Sequence, residues 1–301
     1  MDEGKLIERI LQLKEKRNAV ILAHNYQPGE VQDIADFLGD SLGLSRKAAE
    51  TDADVIVFCG VHFMAETAAI LCPDRIVLLP DPQAGCPLAD MVTVEALRRK
   101  RAECPDAVVV CYVNSSAEVK AESDICCTSA NAVRIVEGIG GRVLFVPDQY
   151  LGRHVASLTG KELILWPGFC HVHMSILPQD IEKLKREYPD AKVVVHPECR
   201  PEVTALADEV LSTSGMCRYA RETEANTLIV GTEVGIIYRL RNENPDKTFL
   251  PASEKAVCPN MKRITLEKVL HSLEDLSPQV KVPKDVRLRA EAALRAMVQV
   301  D

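Results

Sequence analysis

One pattern occurs three times along this chain, and that repeat constrains the fold more than any other feature. Three loops marked by proline or glycine each follow an apolar run, and each carries a single cysteine. These cysteines are Cys86, Cys170 and Cys258, so they recur after 84 and then 88 residues. Solenoid units run from about 20 to 50 residues, so a repeat of this length predicts a triplicated domain instead.

A second set of positions recurs in step with the cysteines. In each repeat a polar residue ends an apolar, strand-like run, and a hydroxyl residue follows it after seventeen positions. The polar residues are His24, Tyr112 and His196, and the hydroxyl residues are Ser41, Ser129 and Thr213. We therefore assign repeats one, two and three to residues 1–87, 88–172 and 173–260, with C-terminal helices in 261–301 that close the ring.

The alternation of apolar runs with helical patterns predicts the fold class. Such alternation is typical of parallel sheets covered by helices on both faces. We expect an α/β protein made of three homologous α/β/α domains, in a pseudo-threefold arrangement around a central active site. Each repeat is predicted to contain three strands, with a helix from Val31 to Leu38 and one helical turn at Cys126 and Cys127. Ligands bind at the carboxyl ends of parallel strands, where His24, Tyr112, His196 and the three cysteines fall, so we expect all nine repeated positions to converge on one cavity.

The composition argues against several classes of protein. A net charge of −8 argues against a general nucleic-acid binder. No apolar run approaches the length of a membrane span, and the charged N-terminus is unlike a secretory signal. We therefore expect a cytoplasmic protein with no nucleic-acid or membrane partner. Eleven cysteines in such a protein favour metal binding or catalysis over disulfides.

Three cysteines from three separate loops suit a [4Fe–4S] cluster in which one iron has no protein ligand. Thiolates are the usual ligands of such clusters, and an iron with an open position can act as a Lewis acid. The sequence contains no CxxC, so only the threefold repeat favours convergence of these residues. Ordinary buried cysteines are one alternative. A structural zinc with His171 or His173 as its fourth ligand is another.

The polar residues of the repeat suit binding and proton transfer. The hydroxyl residues lie at predicted helix starts, where they have an ordinary explanation as N-caps. Helix N-termini also bind carboxylates and phosphates, so the same residues are candidate anion contacts. His24 and His196 occupy equivalent strand ends, and the carboxylate of Glu198 follows two residues after the second. This combination is typical of a general acid–base site, to which Tyr26 adds a further titratable group.

Several longer segments resemble the quinolinate synthase family. They are HNYQ (24–27), DIADFLGDSLGLS (33–45), GVHFMAETAAIL (60–71), PDPQAGCPLADM (80–91), YVNSSAEVKAESDICCTSAN (112–131), WPGFCHVH (166–173), HPEC (196–199) and CPNMKRITLEKVL (258–270). The resemblance extends over about residues 18–276, and it includes the positions that the internal repeat identifies.

The resemblance implies a fold, a reaction and a set of site residues. The family has three α/β domains around a central site, and it condenses iminoaspartate with dihydroxyacetone phosphate to quinolinate, phosphate and water in NAD biosynthesis. A [4Fe–4S] cluster with one open iron is implied at Cys86, Cys170 and Cys258. The implied catalytic residues are His24, Tyr26, His196 and Glu198. The implied substrate contacts are His24, Ser41, Tyr112, Val113, Asn114, Ser129, His196, Pro197, Glu198 and Thr213.

The resemblance also implies partners, and it leaves two other functions to be tested. L-aspartate oxidase or aspartate dehydrogenase would supply the iminoaspartate. Some relatives carry an extra C-terminal cysteine pair, and no such pair follows Cys258. One alternative is a zinc-stabilised protein that binds a small molecule without catalysis. The other is an iron–sulfur electron carrier, a class that usually has four cysteine ligands.

Overall fold

The computed structural model describes residues 2–300 and confirms the predicted α/β class. Three four-stranded sheets alternate with helices, and every pairing between neighbouring strands of a sheet is parallel. In each sheet the second strand of the repeat lies at one edge, followed by the first, the third and the fourth. The three repeats therefore share one topology. None of the helices within residues 2–300 is long and apolar enough to cross a membrane.

Repeat one contains four helices and four strands in strict alternation. They are α1 (Glu3–Lys16), β1 (Ala19–His24), α2 (Gly29–Asp33), β2 (Phe37–Gly39), α3 (Ser41–Glu50), β3 (Val55–Cys59), α4 (His62–Leu71) and β4 (Ile76–Leu78). The central strands β1 and β3 are apolar and buried almost throughout. Helices on both faces of a parallel sheet require such continuous apolar runs.

Repeats two and three follow the same alternation. Repeat two contains α5 (Val94–Glu103), β5 (Val108–Tyr112), α6 (Ala117–Ala121), β6 (Ile125–Cys127), α7 (Ala132–Glu137), β7 (Val143–Val146), α8 (Gln149–Thr159) and β8 (Leu163–Leu165). Repeat three contains α9 (Pro178–Glu187), β9 (Lys192–Val195), α10 (Pro201–Thr204), β10 (Glu209–Val210), α11 (Thr213–Glu222), β11 (Thr227–Gly231), α12 (Ile236–Glu243) and β12 (Thr248–Pro251). A short 3₁₀ turn follows each cysteine loop, at Ala89–Met91, His173–Ser175 and Met261–Arg263.

Each sheet has a short edge strand that the sequence patterns do not predict. The helix predicted from Val31 to Leu38 is wrong in its second half, because α2 ends at Asp33 and β2 follows. The helical turn predicted at Cys126 and Cys127 is also wrong, since both residues lie in β6. These edge strands, β2, β6 and β10, have two or three residues and pair on one side only. Runs this short carry no measurable hydrophobic period.

One aspartate per repeat holds the edge of each sheet. Its carboxylate accepts a hydrogen bond from a backbone N–H of the neighbouring central strand, at 2.7–2.8 Å. The pairs are Ile21 with Asp36, Val109 with Asp124, and Val193 with Asp208. The side chain satisfies a strand N–H that the short edge strand does not reach. The aspartates recur after 88 and 84 residues, so they belong to the same repeat as the strand-end residues.

Two C-terminal helices pack across the repeats. Helix α13 (Leu266–Asp275) packs against α1 and β3 of repeat one. Helix α14 (Lys284–Val298) packs against α4 of repeat one and against α6 and β6 of repeat two. In addition, Asn131 of repeat two donates a hydrogen bond to the carbonyl of Met297 at 3.0 Å. These contacts join repeats one and two, while the residue boundaries given above for the domains remain a prediction.

Candidate active site

One cavity lies where the three repeats meet. Residues from every repeat line it, and it encloses about 750 Å³, including the solvent at its mouth. Twelve candidate residues line it: His24, Tyr26, Ser41, Cys86, Tyr112, Asn114, Ser129, Cys170, His196, Glu198, Thr213 and Cys258. Val113 and Pro197 are buried but are not among the lining residues. The structure therefore brings most of the candidates together, while the contact of each with a substrate remains a prediction.

The three cysteine loops share a local structure. In each loop the backbone N–H three residues after the cysteine, which belongs to Ala89, His173 or Met261, opposes the rise that burial causes in the pKa of the thiol. These N–H groups lie in the 3₁₀ turns that follow the loops. Hydrogen bonds to sulfur stabilise a thiolate and tune the properties of a metal centre bound to it.

The three thiols are partly buried at the same cavity, with few compensating charges around them. Burial raises the pKa of Cys86 to about 12, and the neighbouring Glu198 and Cys258 also raise it. Burial and Glu198 raise the pKa of Cys170, and burial raises the pKa of Cys258. Thiols in such surroundings lose their protons together only beside a compensating positive charge. This donor set therefore fits a metal ion or a metal cluster.

His24 and His196 are held by the same backbone contact. The backbone N–H two residues later donates to Nδ1, from Tyr26 to His24 at 3.2 Å and from Glu198 to His196 at 3.4 Å. A ring nitrogen that accepts a hydrogen bond carries no proton, so the proton of each neutral ring lies on Nε2. Burial lowers the pKa of both histidines to about 3. Each ring is therefore neutral at pH 7 and offers an Nε2–H donor.

The N-cap interpretation of the hydroxyl residues is wrong. Asp40 and Ser212 cap α3 and α11, so Ser41 and Thr213 are the first residues inside those helices. Ser129 lies in the turn before α7 and is not its N-cap. Because none of the three hydroxyl residues is an N-cap, capping does not explain their positions at the cavity that they line.

Glu198 is a fixed negative charge in the cavity. Its side chain is buried, and a carboxylate oxygen lies 2.7 Å from Nδ1 of His173. This oxygen lies off the direction of the ring N–H, so the contact is electrostatic rather than an aligned hydrogen bond. Burial alone would raise the pKa of Glu198, but His173, His196 and the Tyr112 hydroxyl lower it to about 2. Glu198 is therefore ionised throughout the physiological pH range.

A chain of hydrogen bonds leads from Tyr26 towards Glu198. The Tyr26 hydroxyl lies 2.5 Å from Oγ1 of Thr232, which in turn lies 2.9 Å from Nε2 of His173. Ionised Glu198 favours the ring proton on Nδ1, so Nε2 accepts from Thr232, and Thr232 accepts from Tyr26. Burial and Glu198 raise the pKa of Tyr26, so its hydroxyl keeps its proton. The chain can carry a proton between the cavity and His173.

Three residues in or directly behind this cavity do not follow from the repeat pattern: His173 and Glu233 line it, and Thr232 contacts His173 and Tyr26. His173 enters the sequence argument only as a possible zinc ligand, and Thr232 and Glu233 do not enter it. Glu233 is fully buried, and its carboxylate accepts a hydrogen bond from the backbone N–H of Cys258 at 3.0 Å. Thr232 and Glu233 directly follow β11, so the tendency of sites to form at strand carboxyl ends could have identified them. His173 lies in a 3₁₀ turn and has no such signal.

These features define a class of protein. Buried neutral histidines, an ionised carboxylate and three thiols line one cavity at the carboxyl ends of parallel strands. Acid–base groups next to candidate metal ligands in a shared cavity are the arrangement of an enzyme active site. The fold and the cavity therefore belong to an α/β enzyme whose active site contains candidate metal ligands.

Comparisons with known proteins identify the family. The family model described as quinolinate synthetase A protein matches residues 8–299. Quinolinate synthase from Dehalococcoides mccartyi (strain CBDB1) is 62% identical over 293 residues, which are 97% of each chain. Quinolinate synthase from Desulforudis audaxviator is 57% identical over 98% of each chain, and quinolinate synthase 2 from Methanosarcina acetivorans is 55% identical over 100% of this chain and 97% of its own. The chain belongs to the quinolinate synthase family of enzymes.

Proposed function

We propose that this enzyme condenses iminoaspartate with dihydroxyacetone phosphate and releases quinolinate, phosphate and water, as a step of NAD biosynthesis. The observation that carries this proposal is the single cavity that combines three cysteines with ionised Glu198 and neutral His24 and His196. The names of the curated relatives support it. L-aspartate oxidase or aspartate dehydrogenase is the expected supplier of iminoaspartate.

In this proposal Cys86, Cys170 and Cys258 hold a [4Fe–4S] cluster. The three partly buried thiols fit such a group, because its irons would compensate the charge of three thiolates in a cavity that contains ionised Glu198. When bound, a cluster with three cysteine ligands supplies one iron with an open position, which acts as a Lewis acid towards oxygen or nitrogen atoms of a substrate. The protein supplies the remaining proton transfers and anion contacts.

In this proposal the hydrogen-bonded side chains of Tyr26, Thr232 and His173 carry a proton away from the substrate. When the Tyr26 oxygen takes a proton from the substrate, its own proton passes to Thr232, and the Thr232 proton passes to Nε2 of His173. The resulting imidazolium lies beside ionised Glu198, whose negative charge stabilises it. A carboxylate with a pKa of about 2 is a weak base, so Glu198 acts by holding this charge rather than by taking the proton.

Hydrogen-bond donors around the cavity hold the anionic groups of the substrates. His24 offers its Nε2–H. The Nε2–H of His196 donates to the Ser129 oxygen at 3.2 Å, so the Ser129 proton is left for a ligand. Carboxylate and phosphate oxygens accept such bonds strongly. Ser41, Tyr112, Asn114 and Thr213 line the same cavity and are assigned the other polar contacts.

The metal content of protein purified without oxygen tests the cofactor. We expect about four iron and about four labile sulfide per chain. Zinc without sulfide would contradict the cluster and support a zinc-stabilised binding protein. Cys170, His173 and Glu198 offer that metal a mixed ligand set, because their ligand atoms lie within 4.8 Å of one another. A cluster whose spectrum does not respond to substrate would favour an electron carrier.

Quinolinate formation from the two substrates tests the activity. The Cys258→Ser protein is expected to lose iron and activity together. Cys104→Ser is the matched control, because the Cys104 thiol donates to the carbonyl of Lys100 at 2.9 Å, a bond that a hydroxyl can replace. This control should keep both iron and activity. Full iron and full turnover in Cys258→Ser would refute the ligand assignment.

A further inference from the structure

A hydrogen-bonded chain crosses from repeat one to repeat three and ends at the hydroxyl of Thr213. Nδ2 of Asn25 donates to Oγ1 of Thr213 at 2.8 Å. Oδ1 of the same amide accepts from Nη1 of Arg239 at 2.7 Å. Asn25 is fully buried and Thr213 is 2% exposed, so bulk water does not compete for either group.

Arg239 determines which groups donate and which accept in these hydrogen bonds. A guanidinium can only donate, so the Asn25 amide must turn its oxygen towards Arg239 and its NH₂ towards Thr213. The Thr213 oxygen therefore accepts, and its own proton is left for another partner. Within residues 2–300 no protein group accepts that proton. Since Thr213 lines the cavity, its hydroxyl is aimed as a donor at whatever the cavity binds.

Arg239 is itself held in a fixed position. Its Nε donates to Glu243 at 2.6 Å, and its Nη1 also donates to the carbonyl of Leu38 at 2.9 Å. A second arginine, Arg221, pairs with the same carboxylate at 2.9 Å. The planar guanidinium is thus fixed from two sides, and it cannot follow a rotation of the amide.

This link has no counterpart in the other two repeats. The residues equivalent to Asn25 are Val113 in repeat two and Pro197 in repeat three. Neither side chain can form a hydrogen bond. The Asn25 amide is therefore specific to the contact between repeats one and three. The structure of the strand end does not require an amide, because the other two repeats form it with Val113 and Pro197.

We infer that Asn25, oriented by Arg239, is a positioning residue that makes Thr213 a hydrogen-bond donor to an anionic oxygen of the substrate. This inference rests on the proposed function, in which one substrate brings carboxylates and the other a phosphate. Both groups accept hydrogen bonds and cannot donate when ionised, so a hydroxyl held as a donor suits either of them. A ligand that presents a donor at this point is disfavoured, because two donors would face each other.

The Asn25→Asp variant reverses the polarity of the link without a change of shape. Beside Arg239 the introduced carboxylate stays ionised and can only accept. The Thr213 hydroxyl must then donate to it, and the donor into the cavity is lost. We expect KM for one substrate to rise about tenfold or more, with little change in kcat. A rise for iminoaspartate identifies a carboxylate as the acceptor, and a rise for dihydroxyacetone phosphate identifies the phosphate.

Introducing Asn25→Asp into a Thr213→Val protein tests whether the substitution acts by reorienting the Thr213 hydroxyl or by repelling the anionic substrate directly. Without the hydroxyl, Asn25→Asp should change KM by less than about twofold further. An equal tenfold rise in both backgrounds would overturn the inference, because the added charge would then act directly on the anion. Thr213→Ser keeps the hydroxyl and should respond to Asn25→Asp as the wild-type enzyme does. Iron content equal to that of the wild type confirms in each case that the site is assembled.

A second variant protects the test against a failure to fold. In Asn25→Ala the Thr213 hydroxyl rotates freely, so KM should rise by about threefold, and this rise should vanish in the Thr213→Val background. An active wild-type enzyme in which neither Asn25 variant changes KM would overturn this inference alone. A wild-type enzyme that forms no quinolinate would instead contradict the proposed function.

Discussion

The strand ends of repeats one and three share a backbone geometry and differ in their chemistry. Both begin with a histidine whose Nδ1 accepts the N–H of the residue two positions later, and both histidines have a pKa of about 3. That later residue is Tyr26 in repeat one and Glu198 in repeat three. Burial keeps the proton on Tyr26, whereas neighbouring polar groups keep Glu198 ionised. The repeat thus supplies equivalent positions, and the difference between Tyr26 and Glu198 is one source of the chemical asymmetry that a reaction needs.

Among the substitutions that test this difference, removal of the charge at Glu198 is expected to lower kcat the most. Glu198→Gln should lower kcat by about a hundredfold or more, because a neutral amide cannot stabilise protonated His173. Steady-state quinolinate formation, with iron measured in the same sample, checks this. Glu187→Gln removes an exposed carboxylate and is the matched control. Full turnover in Glu198→Gln would mean that the difference between the two strand ends has no role in catalysis.

Substitution at Tyr26, the equivalent position in repeat one, should have a smaller effect on kcat. Tyr26→Phe removes the first group of the proton-transfer chain, so kcat should fall by about tenfold with iron content unchanged. Tyr238→Phe is the control, since the Tyr238 hydroxyl is partly exposed and donates to Asp33 at 2.6 Å. An unchanged kcat in Tyr26→Phe would show that protons do not travel through Thr232.

Both strand ends contain a buried neutral histidine, so we expect the folded protein to lose stability in acid. A histidine with a pKa of about 3 when folded and near 6.5 when unfolded binds fewer protons in the folded state. The stability that it contributes is therefore full above about pH 6.5 and falls as the pH drops towards 3. His24→Gln and His196→Gln should each remove about 1 kcal/mol of the stability lost between pH 7 and about pH 5.5.

Urea unfolding of the metal-free protein at the two pH values measures this loss, with the fluorescence of Trp166, the single tryptophan, as the signal. His271→Gln is the control, because His271 is exposed to water in the folded chain. It should keep the pH dependence of the wild type. A pH dependence that is the same in all three variants would contradict the assignment of His24 and His196 as buried and neutral.

The smallest effect on KM is expected at Pro197, the residue of repeat three that is equivalent to Asn25. Pro197 is buried but does not line the cavity, so Pro197→Ala should leave KM for both substrates within about twofold of the wild type. Steady-state kinetics with each substrate varied in turn checks this. A rise comparable to that expected for Asn25→Asp would make Pro197 a substrate contact and remove the contrast between the two positions.

The sequence predicts well what the three repeats have in common. Cys86, Cys170 and Cys258 recur at nearly constant intervals, and the structure places all three at one cavity. The central strands are also predicted, because helices on both faces impose long apolar runs on them. The edge strands β4, β8 and β12 are predicted too, but β2, β6 and β10 at the opposite edges are not. These three have only two or three residues, and side-chain bonds such as that of Asp36 to the backbone of Ile21 support them.

Residues that make the repeats different are much harder to find. His173 occupies the position of Ala89 in repeat one and Met261 in repeat three, so nothing in the spacing marks it. Its role depends on contacts with Thr232 and Glu198, which are distant in the sequence and meet only in the folded chain. A period identifies positions, but the chemistry at one position of one repeat arises from tertiary contacts.

Helix α14 has a consequence for the order in which the protein is made. It follows all three cysteines in the sequence, and it packs on repeats one and two at once. During synthesis the N-terminal repeats leave the ribosome first and can complete their own sheets. The helix that joins repeats one and two reaches them only after the loop with Cys258 has emerged. A metal centre held jointly by Cys86, Cys170 and Cys258 would need the loops of all three repeats, so it could not be loaded repeat by repeat on the nascent chain.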